Sequence, residues 1–155
     1  MIDGLARLPL RLHEDERGWF CELRRDSALP RPMPQTNVSF SRAGVIRGLH
    51  FHRRGQDDLF ACLRGMARVV VLDLETGETF CEDIGEENPV AVYVPGRCAH
   101  GFEALTDILF CYHVTTEYDP ADPDEHTVPW NDPRVAHLWS SSTPILSARD
   151  VGAAS

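Results

Sequence analysis

The sequence predicts an all-β fold, an antiparallel sandwich or barrel. Three observations carry that prediction. Strand-like runs of alternating or continuous apolar residues recur along the chain, and glycine and proline, 11 of each, punctuate it throughout. No long segment places apolar residues at i, i+3, i+4 and i+7. Many short strands joined by Gly/Pro turns bury their apolar faces as stacked or closed antiparallel sheets. The 155 residues match the usual size of one domain, so residues 1–155 are expected to fold as a single unit. Hydrophobic residues make up 43% and charged residues 25%, enough apolar surface for a packed core.

In chain order, residues 22–29 offer a turn or two of helix, which Pro30 stops. Residues 44–52 read as a strand. Residues 59–64 and 66–74 form two more around Gly65, and the run Val69, Val70, Val71, Leu72 has the continuous apolar character of a strand buried on both faces. Glu75-Thr-Gly-Glu78 is a hairpin turn. Residues 90–94 alternate and end at Pro95-Gly96. Residues 108–116 alternate cleanly, with Ile108, Phe110, Tyr112, Val114 and Thr116 on one face. The stretch 119–155, rich in Pro and Asp, is expected to be irregular, folded over the sheets and anchored by Trp130 and Trp139.

Composition removes several functions. All 15 Lys+Arg residues are arginine, which excludes Schiff-base chemistry, an internal pyridoxal aldimine and a phosphate-loop lysine. A net charge of −9 argues against nucleic acid and anionic membrane surfaces as partners. Neither a membrane-length apolar run nor a secretory h-region is present. The five cysteines include no CxxC pair, which points to a reduced, cytoplasmic protein using cysteine as a small hydrophobe.

Histidine comes first among the residues that could carry chemistry. A lone histidine is ordinarily a core or surface residue, but His50 and His52 share a strand face, and His100 follows in Pro95-Gly-Arg-Cys-Ala-His100. Tyr112 and Tyr118 are on one face if their strand is unbroken; they either fill the interior or supply a general acid. Of the arginines near turns and histidines (Arg17, Arg47, Arg53, Arg54, Arg97), Arg47 is the strongest candidate, because it shares a strand with His50. The acidic run 119–125 reads as a solvated loop.

In this order the pieces resemble the dTDP-4-dehydrorhamnose 3,5-epimerase family. The resemblance runs through Asp15-Glu-Arg-Gly-Trp-Phe-Cys-Glu22, Gln35-Thr-Asn37, Gly44-Val-Ile-Arg-Gly-Leu-His-Phe51, Val94-Pro95 with Ala99-His-Gly-Phe102, the stretch from Tyr112 to Pro120, Trp130-Asn-Asp-Pro133 and Leu146-Ser-Ala-Arg-Asp150. It implies a jelly-roll barrel of the cupin type, a homodimer exchanging an N-terminal strand, and a dTDP-linked 4-keto-6-deoxysugar as substrate. It assigns His50 as base, Asp150 as its orienting carboxylate and Tyr112 as proton donor. Tyr118 lies beside the sugar, Arg17 and Arg47 hold the diphosphate, Glu22, Gln35 and Asn37 surround the nucleotide, and His100 and Glu125 line the sugar pocket. No cofactor and no metal are implied.

Two positions depart from the family pattern. His52 replaces a glutamine, and Asp58 replaces the lysine that supports the keto oxygen. An anion about 4 Å from an enolate oxygen costs about 4 kcal/mol at an effective dielectric near 20. Asp58 must then be protonated or turned away, with an arginine such as Arg97 substituting, or the chemistry differs. The same departures build alternatives: a metal-dependent cupin enzyme using His50, His52, Asp58 and His100, or a sugar-nucleotide-binding relative without activity.

Overall fold

The computed structural model describes residues 1–154, and two five-stranded antiparallel sheets dominate it. The strands in chain order are β1 (Ala6–Pro9), β2 (Leu12–Asp15), β3 (Gly18–Cys21), β4 (Gln35–Ser41), β5 (Ile46–Phe51), β6 (Asp58–Arg64), β7 (Met66–Asp73), β8 (Thr79–Gly85), β9 (Val90–Val94), β10 (Cys98–Ala104), β11 (Ile108–Val114) and β12 (His126–Thr127). One sheet runs β1-β9-β6-β11-β4 and the other β12-β5-β10-β7-β8, with β2 and β3 a separate hairpin. The hydrogen bonding stays within each sheet, so the expected barrel is an open sandwich rather than a closed ring. Residues 22–29 hold only a 3-10 turn, Asp26–Ala28.

The alternation of side chains explains the packing. Phe60, Cys62, Val92, Ile108 and Phe110 of the first sheet meet Val69, Val71, Ile84, Cys98 and Phe102 of the second in one buried cluster. Phe102 and Phe110 stack across it with ring centroids 3.9 Å apart. The opposite face of β7 is buried too: Val70 and Leu72 pack with Ile46, Leu49, Val128, Val135 and Trp139. That two-sided burial accounts for the unbroken apolar run of β7. A third cluster covers the outer face of β6 and β9, where Leu59, Ala61, Ala91 and Tyr93 lie under Met33, Leu8, Leu10 and Leu29.

The segment after β12 folds over the second sheet as anticipated. Trp139 donates its indole N–H to the Trp130 carbonyl at 2.8 Å, and the buried Glu103 carboxylate accepts from Ser140 N, Ser140 Oγ and Ser141 N. The segment is not wholly irregular. It ends in a short helix, α1 (Ala148–Ala153), whose N-cap Ser147 accepts from the Asp150 N–H. Where β5 passes β10, Gly48 and Gly101 let the backbones meet. A Cβ on Gly101 would lie 2.5 Å from the Arg47 carbonyl oxygen, and the register shifts between His100 and Phe102. That bulge sets His50 directly opposite His100.

Candidate functional site

A cavity of about 930 Å³ is lined by strands of both sheets. Strands β4, β5, β6, β10 and β11 supply its walls through Gln35, Asn37, Arg47, His50, Asp58, Phe60, His100 and Tyr112. The loop after β11 and the C-terminal segment close the rim with Tyr118, Glu125, Ser147, Arg149 and Asp150. The acidic run 119–125, expected to be merely solvated, instead edges the cavity through Asp119, Asp122, Asp124 and Glu125.

His50 and Asp150, 100 residues apart, meet at 2.9 Å between Nε2 and Oδ1. The second carboxylate oxygen of Asp150 accepts from Ser147 Oγ at 2.8 Å. Burial pushes the Asp150 carboxyl up, but hydrogen bonds from His50 and Ser147 outweigh it and hold the group below its ordinary value. A carboxylate there accepts an N–H, so it favours the hydrogen on Nε2 and leaves the Nδ1 lone pair of His50 free. Arg149 also reaches this nitrogen, with Nη2 at 2.7 Å, while its Nη1 donates to Glu125 at 2.8 Å.

Tyr112 stands on β11 beside Phe60. Burial raises its phenol, and Asp58 adds to the effect, so the proton stays on the oxygen at neutral pH. Tyr118 reaches the cavity by a different route from the one its spacing suggested. β11 ends at Val114, and the following loop returns to place the Tyr118 N–H 2.7 Å from Gln35 Oε1. Gln35 in turn donates to Asn37 at 2.9 Å. The Arg47 guanidinium is steadied by Ser41 Oγ at 2.9 Å and the Phe40 carbonyl at 3.2 Å.

Arg17 and Glu22 do not line this chain's cavity. Arg17 lies on the exposed turn between β2 and β3, paired with Asp15, and Glu22 pairs with Arg25 at 2.5 Å. Arg97 is also elsewhere: it bonds Asp73 at 2.9 Å and does not substitute for the missing lysine.

His52, Asp58 and His100 do converge. Asp58 Oδ2 lies 3.5 Å from His100 Nε2 and 4.0 Å from His52 Nε2. His50, expected as a fourth member of a metal set, is engaged with Asp150 instead. Burial pushes the Asp58 carboxyl up to about 7, against the pull of His52, and pushes His100 down to about 4. Burial also lowers His52. The three groups therefore share a pocket in which neither imidazole favours its charged form.

Residues 1–155 match the sequence profile of the dTDP-4-dehydrorhamnose 3,5-epimerase family. The chain belongs to that family. A curated relative, the spore coat polysaccharide biosynthesis protein SpsL of Bacillus subtilis, is 38% identical over 149 residues, covering 91% of this chain and 98% of its own length. The dTDP-4-dehydrorhamnose 3-epimerase of Streptomyces niveus is 36% identical, covering 96% of this chain and 78% of that one. In three dimensions the chain superposes with a TM-score of 0.87 on the family's 3,5-epimerase from Legionella pneumophila, solved in complex with dTDP-4-keto-L-rhamnose. That match has 28% identity and covers 97% of this chain and 87% of the other.

The cavity brings together His50, Asp150, Tyr112, Tyr118, Arg47, Gln35, Asn37, His100 and Glu125 of the residues that the sequence singled out, and it also uses others. Arg149, Gln56 and Asp124 line it too, and the sequence reading assigns none of them a role there. Arg149 sits beside Asp150 in the sequence, and that adjacency was the one signal available. The backbone carbonyl of Asp124, which accepts from His52, carries no sequence signature at all.

Proposed function

We propose that this chain is an epimerase of a dTDP-linked 4-keto-6-deoxyhexose, inverting C3, C5 or both by proton abstraction and return. The observation that carries the reading is the His50–Asp150 pair lining one cavity with Tyr112. Hydrogens beside the 4-keto group are acidic enough for an imidazole to remove if the enolate is stabilised. His50 takes the proton on Nδ1, Asp150 holds the tautomer and stabilises the imidazolium, and Tyr112 returns a proton from the other face. Arg47 holds the diphosphate with Gln35 and Asn37 around the nucleotide. Tyr118, His100 and Glu125 border the sugar.

The exposed positions of Arg17 and Glu22 fit a homodimer in which each subunit's N-terminal hairpin completes the partner's cavity. Residues 1–155 act as one unit, in the cytoplasm, where reduced thiols and nucleotide sugars coexist. All five cysteines are free, which supports that compartment.

Incubation with dTDP-4-keto-6-deoxyglucose in deuterated water tests the reading. Deuterium entering C3 or C5 with inversion is expected, and the labelled carbon reports which centre is used. Tight binding with no exchange at either carbon would make the chain a sugar-nucleotide binder instead.

A further inference from the structure

We propose that His52, Asp58 and His100 bind one divalent transition-metal ion of the zinc or iron class inside the cavity. The ligand atoms, two Nε2 and a carboxylate oxygen, all lie within 4.8 Å of one another. Two ligands at about 2.0–2.2 Å on a tetrahedral ion sit about 3.4 Å apart. The Asp58–His100 separation of 3.5 Å already matches, and the 4.0 Å to His52 needs only a small side-chain rotation.

The outer hydrogen bonds of the two imidazoles point the same way. His52 Nδ1 lies 2.6 Å from the Asp124 carbonyl, and His100 Nδ1 lies 3.2 Å from the Cys98 carbonyl. A carbonyl only accepts, so both Nδ1 atoms carry hydrogen, and each Nε2 presents its lone pair inward. Imidazoles that ligate metals are held in this way. Asp58 is buried, and among the described residues its ion pairs are with these two histidines alone. Among the described residues the donor at the centre is the Gln56 amide, 3.1 Å from His52 Nε2 and 3.3 Å from Asp58 Oδ2, an N–H group where a cation would sit. Two imidazoles and a carboxylate suit zinc or iron over magnesium or calcium.

Three ligands leave coordination positions open toward the cavity. The consequence for catalysis rests on the epimerase reading: a bound ion would supply positive charge to the 4-keto oxygen, in a chain that has no lysine. The site thus departs from the cofactor-free chemistry that the family resemblance implies.

The test is titration of chelator-dialysed protein with Co²⁺, read by visible absorption and calorimetry, with Zn²⁺ as competitor. One Co²⁺ per chain with the bands of a four- or five-coordinate site is expected, displaced by Zn²⁺. Asp58→Asn and His52→Gln, each checked for folding by circular dichroism, should weaken binding by about a hundredfold or more, beyond the cost of losing an outer hydrogen bond. His50→Asn should bind Co²⁺ as the wild type does. No stoichiometric binding, or equal binding by the wild type and both ligand variants, overturns the site. So does a loss in His50→Asn as large as theirs. Deuterium exchange into the sugar, run in parallel, separates the two readings. Exchange without metal binding removes the site and keeps the epimerase; metal binding without exchange does the reverse.

Discussion

At His50 a single ring nitrogen faces two incompatible neighbours. Nε2 either donates to Asp150 at 2.9 Å or accepts from Arg149 at 2.7 Å, and one in-plane valence cannot do both. Replacing Asp150 by Asn offers Nε2 a second donor, which drives the hydrogen to Nδ1 and removes the lone pair that the proposed mechanism uses to take the proton. Asp150→Asn is therefore expected to lower kcat by about 10²–10⁴ while KM changes little, as measured by steady-state kinetics on the 4-keto sugar nucleotide. The dyad was legible because the Ser147-Ala-Arg-Asp150 tail matches the family motif. Its physical sense is local as well, since Ser147 caps α1 and bonds the same carboxylate. Arg149 was not legible, because an arginine in an exposed tail looks the same whether it salts a surface or guards a base.

At the level of strands, the pairing of β5 with β10 sets His50 opposite His100. Gly101→Ala would drive a methyl to within 2.5 Å of the Arg47 carbonyl. Overpacking of that kind costs about 1–3 kcal/mol, and the displaced β5 should also lower turnover. Urea melts and kcat on the same preparation check both effects. The β7–β8 hairpin depends on Asp73, whose carboxylate accepts from Glu75 N at 2.9 Å, Thr76 N at 3.1 Å and Arg97 Nε at 2.9 Å. Burial raises this carboxyl, but those donors prevail and hold it below its ordinary value. A depressed folded-state value means that the stabilisation is complete above the unfolded value, about 3.9, and fades as pH falls through the folded one. Wild type should exceed Asp73→Asn by about 1.5–3 kcal/mol at pH 7, and in paired thermal melts the gap should begin to narrow only below about pH 4. Strands with strong periodicity, such as β7, β9 and β11, could be read directly. The short β1, β2, β3 and β12 could not, because partly exposed four- and two-residue segments owe their shape to the partners they pair with.

For the molecule as a whole, the C-terminal segment both covers the second sheet and brings Asp150 to His50. Trp139 fills the outer face of the second sheet with Leu49, Val70 and Leu72. Trp139→Ala should cost about 3–5 kcal/mol, and turnover should fall at a lower temperature than the loss of sheet ellipticity. Coincident loss of both signals would show that the segment and the sandwich unfold together. The placement of Asp150 on that cover has a cellular consequence. Opening the cover while both sheets stay paired is a sub-global event with its own free energy. A protease that clips the exposed stretch before Ser147 would then leave a particle with Arg47, Gln35 and Tyr112 intact and the base unsupported. Such a remnant would hold sugar nucleotide without converting it, so limited proteolysis would produce a competitor of the enzyme rather than simply less of it.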